Sequence, residues 1–175
     1  MTQHRNESRC WVKRQRAALT NAHGDINMIM WRDYARFTVP GDPVPKARAR
    51  AHQTAKGIRH YTPKTTKQFE KAVRTMAMQF SRAKPEKRTP IRLHLIAVFT
   101  RPKYMMGSKY DDGLIEHVVR PDLDNVLKAV KDSLNGLLYD DDGQVCQIRC
   151  EAYWAEKTPN KSRSEVMLFC PSEAR

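Results

Sequence analysis

A chain of 175 residues is long enough to bury one substantial core and short for two domains. No apolar run approaches the roughly 20 residues of a bilayer-crossing helix, and the charged N-terminus lacks a signal peptide's apolar stretch, so a cytoplasmic protein with no membrane partner is expected. The net charge of +13 points to polyanionic partners, and Cys10, Cys146, Cys150 and Cys170 form no C-x-x-C pair or zinc spacing and are expected to stay reduced.

The charge is unevenly placed. Residues 45–110 hold seventeen Lys or Arg against Glu70 and Glu86, whereas residues 111–156 hold eleven acids against Arg120, Lys128, Lys131 and Arg149. A basic chain that gathers most of its acids into one segment reads as a polyanion binder with a cation site inside it.

In chain order, residues 1–33 show no clear apolar period and are expected to be a poorly ordered N-terminal extension. Met28 and Met30 offer alternative starts that would leave residues 1–29 dispensable. The folded domain is expected over residues 34–170, with a tail over 171–175. Tyr34 to Val39 is a β-prone run that stops at Pro40 before the turn-rich G-D-P-V-P. Lys46, Arg48 and Arg50 alternate, so an extended chain would set them on one face, a strip suited to a phosphate backbone. A flexible basic loop is the competing reading of that strip.

Phe69, Val73, Met76 and Phe80 make the apolar stripe of a helix over residues 65–81, with Thr65 or Thr66 as cap. Ile91 to Thr100 reads as a strand that alternates and then becomes wholly apolar, the mark of an interior strand, with His94 on its polar side as a surface histidine. Residues 102–118 read as a loop. Leu123, Val126, Leu127, Val130 and Leu134 make the buried stripe of a second helix over 122–135, with Pro121 before it and Gly136 stopping it. Asp124, Lys128 and Asp132 stack on the opposite face. Strands follow over 145–155, with Ile148, Cys150, Ala152 and Trp154 on one face, and over 165–170. Interleaved strands and helices predict an α/β (α+β) domain, a mixed β-sheet with flanking helices.

The chemistry concentrates in R-P-D-L-D-N-V-L-K at Arg120–Lys128 and in D-D-D-G-Q at Asp140–Gln144. Asp122 at the helix start and Asp124 in its first turn offer hard oxygen ligands of the kind Mg²⁺ takes alongside water and phosphate. Asp142, or its neighbours Asp140 and Asp141, would close the cage from the following turn. A metal so held polarises a phosphate oxygen and acidifies water, and Lys128, one turn beyond Asp124, would neutralise developing charge. The structural alternative makes Asp122 a helix cap and Asp124 with Lys128 a surface pair worth about 0.2–0.5 kcal/mol. It leaves the acidic triplet unexplained. An EF-hand counted from Asp140 fails because Val145 occupies the place that requires glycine.

The runs R-P-D-L-D-N-V-L-K-A-V-K-D-S-L-N-G and Y-D-D-D-G-Q-V resemble the signature of the RusA family of Holliday-junction resolvases, endodeoxyribonucleases of bacteria and their prophages. P-G-D-P-V-P-K-A-R-A-R and Y-T-P-K-T-T-K resemble the N-terminal part of its phage-type members. The resemblance covers roughly Phe37 to Phe169 and implies a single RusA-like domain that forms a homodimer, binds four-way DNA junctions and makes paired nicks in recombination and repair. It implies Mg²⁺ as cofactor, with Mn²⁺ able to substitute. By motif position the essential aspartates fall on Asp122, Asp124 and Asp142 and the catalytic lysine on Lys128, with Asp141 matching an acid that adjoins the third aspartate in many members. Lys46, Arg48, Arg50, Lys64 and Arg120 are the expected DNA contacts. The triplet carries an acid more than relatives often do, and the arm before Tyr34 has no counterpart. A DNA-binding regulator that does not cut, and a nuclease for flaps or forks, are the alternatives.

Overall fold

A computed structural model describes residues 30–47, 50–54, 57–158 and 161–172. The expectations placed on residues 1–29, including Cys10 and the alternative start at Met28, lie outside these. In chain order the elements are β1 (Trp31–Pro40), β2 (Arg50–Thr54), β3 (Gly57–Tyr61), α1 (Lys64–Ala77), β4 (Ile91–Phe99), β5 (Ile115–Glu116), α2 (Leu123–Leu134), β6 (Val145–Trp154) and β7 (Arg163–Pro171). The fold is carried by one compact unit, Asp33–Cys170. Met30–Arg32 belong to a second unit with Pro171 and Ser172, in which the Ser172 amide and hydroxyl both donate to the Met30 carbonyl, at 2.7 and 3.0 Å.

The strand with the purest apolar alternation lies at the middle of the sheet. Ile91, Leu93, Leu95 and Ala97 of β4 are fully buried on one face, and Val98 and Phe99 bury both faces at its far end. The sheet runs β1-β7-β4-β6-β5, with β4 antiparallel to β7 and parallel to β6, and β5 antiparallel to β6. Phe69, Val73 and Ala77 of α1 and Val126, Ala129, Val130 and Leu134 of α2 join this face in one core. Each Leu or Val so buried contributes about 1.5–3 kcal/mol. Cys150, Ala152 and Trp154 of β6 also pack against the core, while Ile148 of the same alternation is exposed.

Parallel neighbours need a long connection, and α2 supplies it, returning the chain from the end of β4 to the start of β6. The Tyr139 hydroxyl donates to the Lys131 carbonyl at 2.8 Å and that of Tyr34 to the Leu138 carbonyl at 3.1 Å, so two tyrosines satisfy backbone groups where α2 ends. Gly136 follows with φ +73°, the left-handed turn a glycine adopts freely. Arg74 of α1 donates to the Ser133 carbonyl at 3.2 Å and ties the helices together.

Several local expectations differ. β1 begins three residues earlier than the β-prone run, and α1 gives way after Ala77 to a 3₁₀ turn over Met78–Ala83. β2 and β3 form an antiparallel hairpin that apolar patterning did not reveal. His94 is half-buried rather than on the surface, its Nε2 3.7 Å from Glu151 Oε1. Cys146, Cys150 and Cys170 are free thiols, and burial pushes Cys150 up to about 11, the wrong direction for a nucleophile. No helix among the described residues is long and apolar enough to cross a membrane.

The segment read as a loop over 102–118 has a fixed shape. Arg101, only 6 % exposed, donates from Nε to the Ala155 carbonyl at 2.7 Å, from Nη1 to the Asp111 carbonyl at 2.6 Å and from Nη2 to the Gly113 carbonyl. The Lys157 ammonium reaches the Tyr110 carbonyl at 2.6 Å and Asp112 at 3.0 Å. Replacing Arg101 by Met keeps the volume and abandons three buried carbonyls, so Arg101→Met should cost about 3 kcal/mol in urea unfolding and open residues 102–113 to proteolysis.

Candidate active site

The motif Arg120–Lys128 folds as the entry to α2. Asp122 occupies the residue before the first turn, with extended backbone at φ −66° and ψ 133°, and its carbonyl accepts from the Asn125 and Val126 amides at 3.2 and 3.4 Å. Its carboxylate makes no capping hydrogen bond. Asp124 and Lys128 follow on the exposed face, and among the described residues no ion pair joins them. Neither structural role that competed for these acids is taken up. Their oxygens stay available at the helix end where the macrodipole is positive and anions are favoured.

Beside Asp122 lies an open cleft of about 500 Å³, lined by Pro45, Lys46, Arg120, Pro121, Asp122 and Asn125. Arg120 is exposed there, joined to Pro121 by a cis peptide bond. Lys46 lies along α2: its amide donates to the Asn125 carbonyl at 2.8 Å, and its ammonium sits 2.8 Å from Asp132 Oδ2 and 2.6 Å from Glu70 Oε1 of α1. Burial lowers the Lys46 pKa, but the hydrogen bonds its ammonium donates to Asp132 and Glu70 outweigh it and leave it raised. The expected phosphate contact is therefore a strut between two helices, its charge already answered by two carboxylates. Lys64 is exposed at the start of α1. Arg48 lies outside the described residues, and Arg50 is described only by its backbone pairing with Tyr61.

The acidic triplet divides its labour. Asp140 pairs with Lys84 at 2.5 Å. Asp141 Oδ1 accepts from the Gly143 amide at 2.7 Å and caps the 3₁₀ turn Asp142–Gln144. The buried Gln144 accepts from the amides of Asp140 and Asp141 at 2.7 and 3.2 Å and donates to the carbonyls of Glu86 and Thr89, both at 3.2 Å. A Cβ at Gly143 would meet Asp141 Oδ1 at 2.8 Å, so a side chain there would push against the capping carboxylate. Asp142 has no such duty: its Oδ1 is buried without a partner and its Oδ2 lies 4.0 Å from Lys131 Nζ. A buried carboxylate oxygen left unsatisfied costs free energy that only a ligand or partner recovers.

Asp122 and Asp142 stand at opposite ends of α2, a helix of 12 residues and therefore about 18 Å. Among the described residues no three His, Cys, Asp or Glu side chains are gathered closely enough to hold a metal ion. The cage of Asp122, Asp124 and Asp142 or Asp141 expected from the sequence is thus not assembled within the described chain. Asp122 and Asp124 remain as two carboxylates without structural partners at the start of α2. Sequence reasoning missed Asn125 and Pro45 as cleft walls and the pairing of Lys46. The signal for the pairing was Glu70, one of two acids in a strongly basic block.

Comparison with known proteins places these residues in a wider pattern. The sequence profile of a family described as Endodeoxyribonuclease RusA matches residues 40–168, from the end of β1 into β7. Protein YqaN of Bacillus subtilis (strain 168), described as uncharacterized, is 32% identical over 143 residues, covering 78% of this chain and 96% of its own length.

Asp141→Ala should lower stability by about 1 kcal/mol through the lost cap, whereas Asp142→Asn should leave the thermal midpoint unchanged or raise it. Equal losses for the two would contradict the division of roles. Lys46→Met should cost about 1–2 kcal/mol at neutral pH. Because the folded pKa of Lys46 is raised, that contribution is complete below about pH 10.5 and fades as pH climbs through the raised value, so the gap between the two proteins should narrow only in strong alkali.

Proposed function

The chain belongs to the RusA family of endodeoxyribonucleases, and we propose that it resolves four-way DNA junctions by paired nicks, as a Mg²⁺-dependent homodimer acting in recombination and repair. The observation that carries this reading is the uncommitted carboxylate of Asp122, which lines a cleft that also holds Arg120, with a second uncommitted carboxylate, Asp124, two residues on in the first turn of α2. Arg120 is suited to hold a backbone phosphate in the cleft, and Asn125 to orient it with a neutral amide. Asp122 and Asp124 would hold the ion, with water completing its shell. When bound, Mg²⁺ supplies charge neutralisation at the phosphate and a more acidic water. Lys128, one turn beyond Asp124, offsets charge that develops on the phosphate oxygens during displacement.

Asp142 fits this chemistry through a second copy. A two-fold axis that laid α2 antiparallel against its counterpart would bring the Asp142 end of one helix to the Asp122 end of the other, and would do so twice. The unpartnered Asp142 Oδ1 supports that placement. A junction likewise offers two related strands, one for each site.

The test uses the whole chain with synthetic four-way, forked and linear DNA, with and without Mg²⁺. Symmetric nicks in the junction alone are expected; binding with no metal-dependent cutting would leave a regulator, and equal cutting of forks would remove junction selectivity. Asp124→Asn should abolish cutting and keep junction binding. Asp124→Asn and Asp142→Asn, each inactive alone, should recover about a quarter of the wild-type sites when subunits exchange at equal amounts, since half the dimers are mixed and each mixed dimer has one intact pair. No recovery from purified mixed dimers would place both acids in one subunit's site.

A further inference from the structure

The stretch from Arg101 to Val119 is held more firmly than a connection requires, and it displays apolar side chains to solvent. Arg101 is buried and spends its guanidinium on three backbone carbonyls, two in this stretch and that of Ala155, which follows β6. Met105 is buried beneath it, and Tyr104 and Tyr110 meet edge to face at 6.4 Å. At the other end the His117 ring stacks on Phe99 at 4.1 Å between centroids and lies tilted against Trp154 at 4.3 Å, while its amide donates to the Ala152 carbonyl at 3.0 Å. From this anchored base Tyr104 is 70 % exposed, Val118 85 % and Val119 55 %. Val118 and Val119 directly precede Arg120 and Pro121, which line the cleft.

A rigid mount with apolar tips has a use only where something apolar meets it. The charged residues Lys103, Lys109, Asp111, Asp112 and Glu116 are interspersed among the exposed Tyr104, Met106, Leu114, Val118 and Val119, so charge divides the apolar side chains that the core of a protein–protein interface would gather. Nucleobases ask for less: one or two apolar or aromatic side chains at a point, beside cations that hold the backbone. We propose that Val118 and Val119, presented next to the phosphate cleft, and Tyr104 on the same anchored stretch dock unstacked bases of branched DNA. Resting on the DNA-cutting reading of that cleft, the surface explains how a duplex and a branch are told apart. Phosphate contacts at Arg120 hold either form, while the apolar tips gain only where bases are already free to leave the stack.

The experiment measures metal-free binding, so it stands apart from cleavage. Fluorescence anisotropy compares a four-way junction with a duplex of the same sequence for the wild type, for Val118→Ser with Val119→Ser, and for Tyr104→Ser, across a salt series. A 2-aminopurine at the branch reports unstacking, and sedimentation reports the oligomeric state. The double variant should lose about tenfold in junction affinity, with duplex affinity and salt slope unchanged, and should abolish the 2-aminopurine rise. Tyr104→Ser should do the same to a lesser degree, and Tyr104→Trp should restore binding. Unchanged junction preference, an equal loss on both DNAs, or a changed oligomeric state with DNA binding intact would overturn the proposal. Loss of preference in a protein that never cuts would uphold the surface while the nuclease reading fails. Intact preference in variants of a protein that does cut would do the reverse.

Discussion

Parallel pairing between β4 and β6 governs where chemistry can occur in this molecule. Side-by-side strands of the same direction cannot share a tight turn, so the chain from Thr100 to Gln144 must travel back along the sheet. α2 makes that journey with Val126, Val130 and Leu134 turned to the core and Asp124 and Lys128 turned out. The motif at its start and the acidic triplet after its end are therefore held apart by a rigid rod. Their separation is a property of topology, not of side-chain choice.

Charge is managed by a second constraint. A basic surface attracts polyanions but repels itself, and the few acids within it are placed where they hold elements together. Glu70 and Asp132 draw Lys46 between α1 and α2, Asp140 draws Lys84, and Asp112 draws Lys157. Asp122 and Asp124 are among the acids with no such task, and Asp142 keeps only Lys131 Nζ at 4.0 Å.

Much of the framework was legible before any coordinates. The stripes of α1 and α2 and the alternation of β4 could be read because burial of one face imposes a period on the chain. The hairpin β2–β3 escaped because its pairing is between backbone groups and its residues carry no apolar alternation. The fixed shape of residues 102–118 escaped for a related reason: Arg101 binds carbonyls, and carbonyls have no sequence. The pairing of Lys46, expected as a DNA contact, was not legible because its partners sit 24 and 86 positions away. Three consecutive aspartates could not be told apart by type. They differ in what a single turn asks of each, and Gln144 and Gly143 decide that.

The distance along α2 also bears on when such a protein acts. A monomer carrying Asp122 and Asp142 at opposite ends of one helix holds every group the proposed reaction needs and yet cannot bring them to one phosphate. If pairing across a two-fold completes the site, competence scales with the square of concentration while dimers are scarce. A protein copied at low level would then leave chromosomes intact and become destructive only after accumulating, a threshold written into the length of one helix.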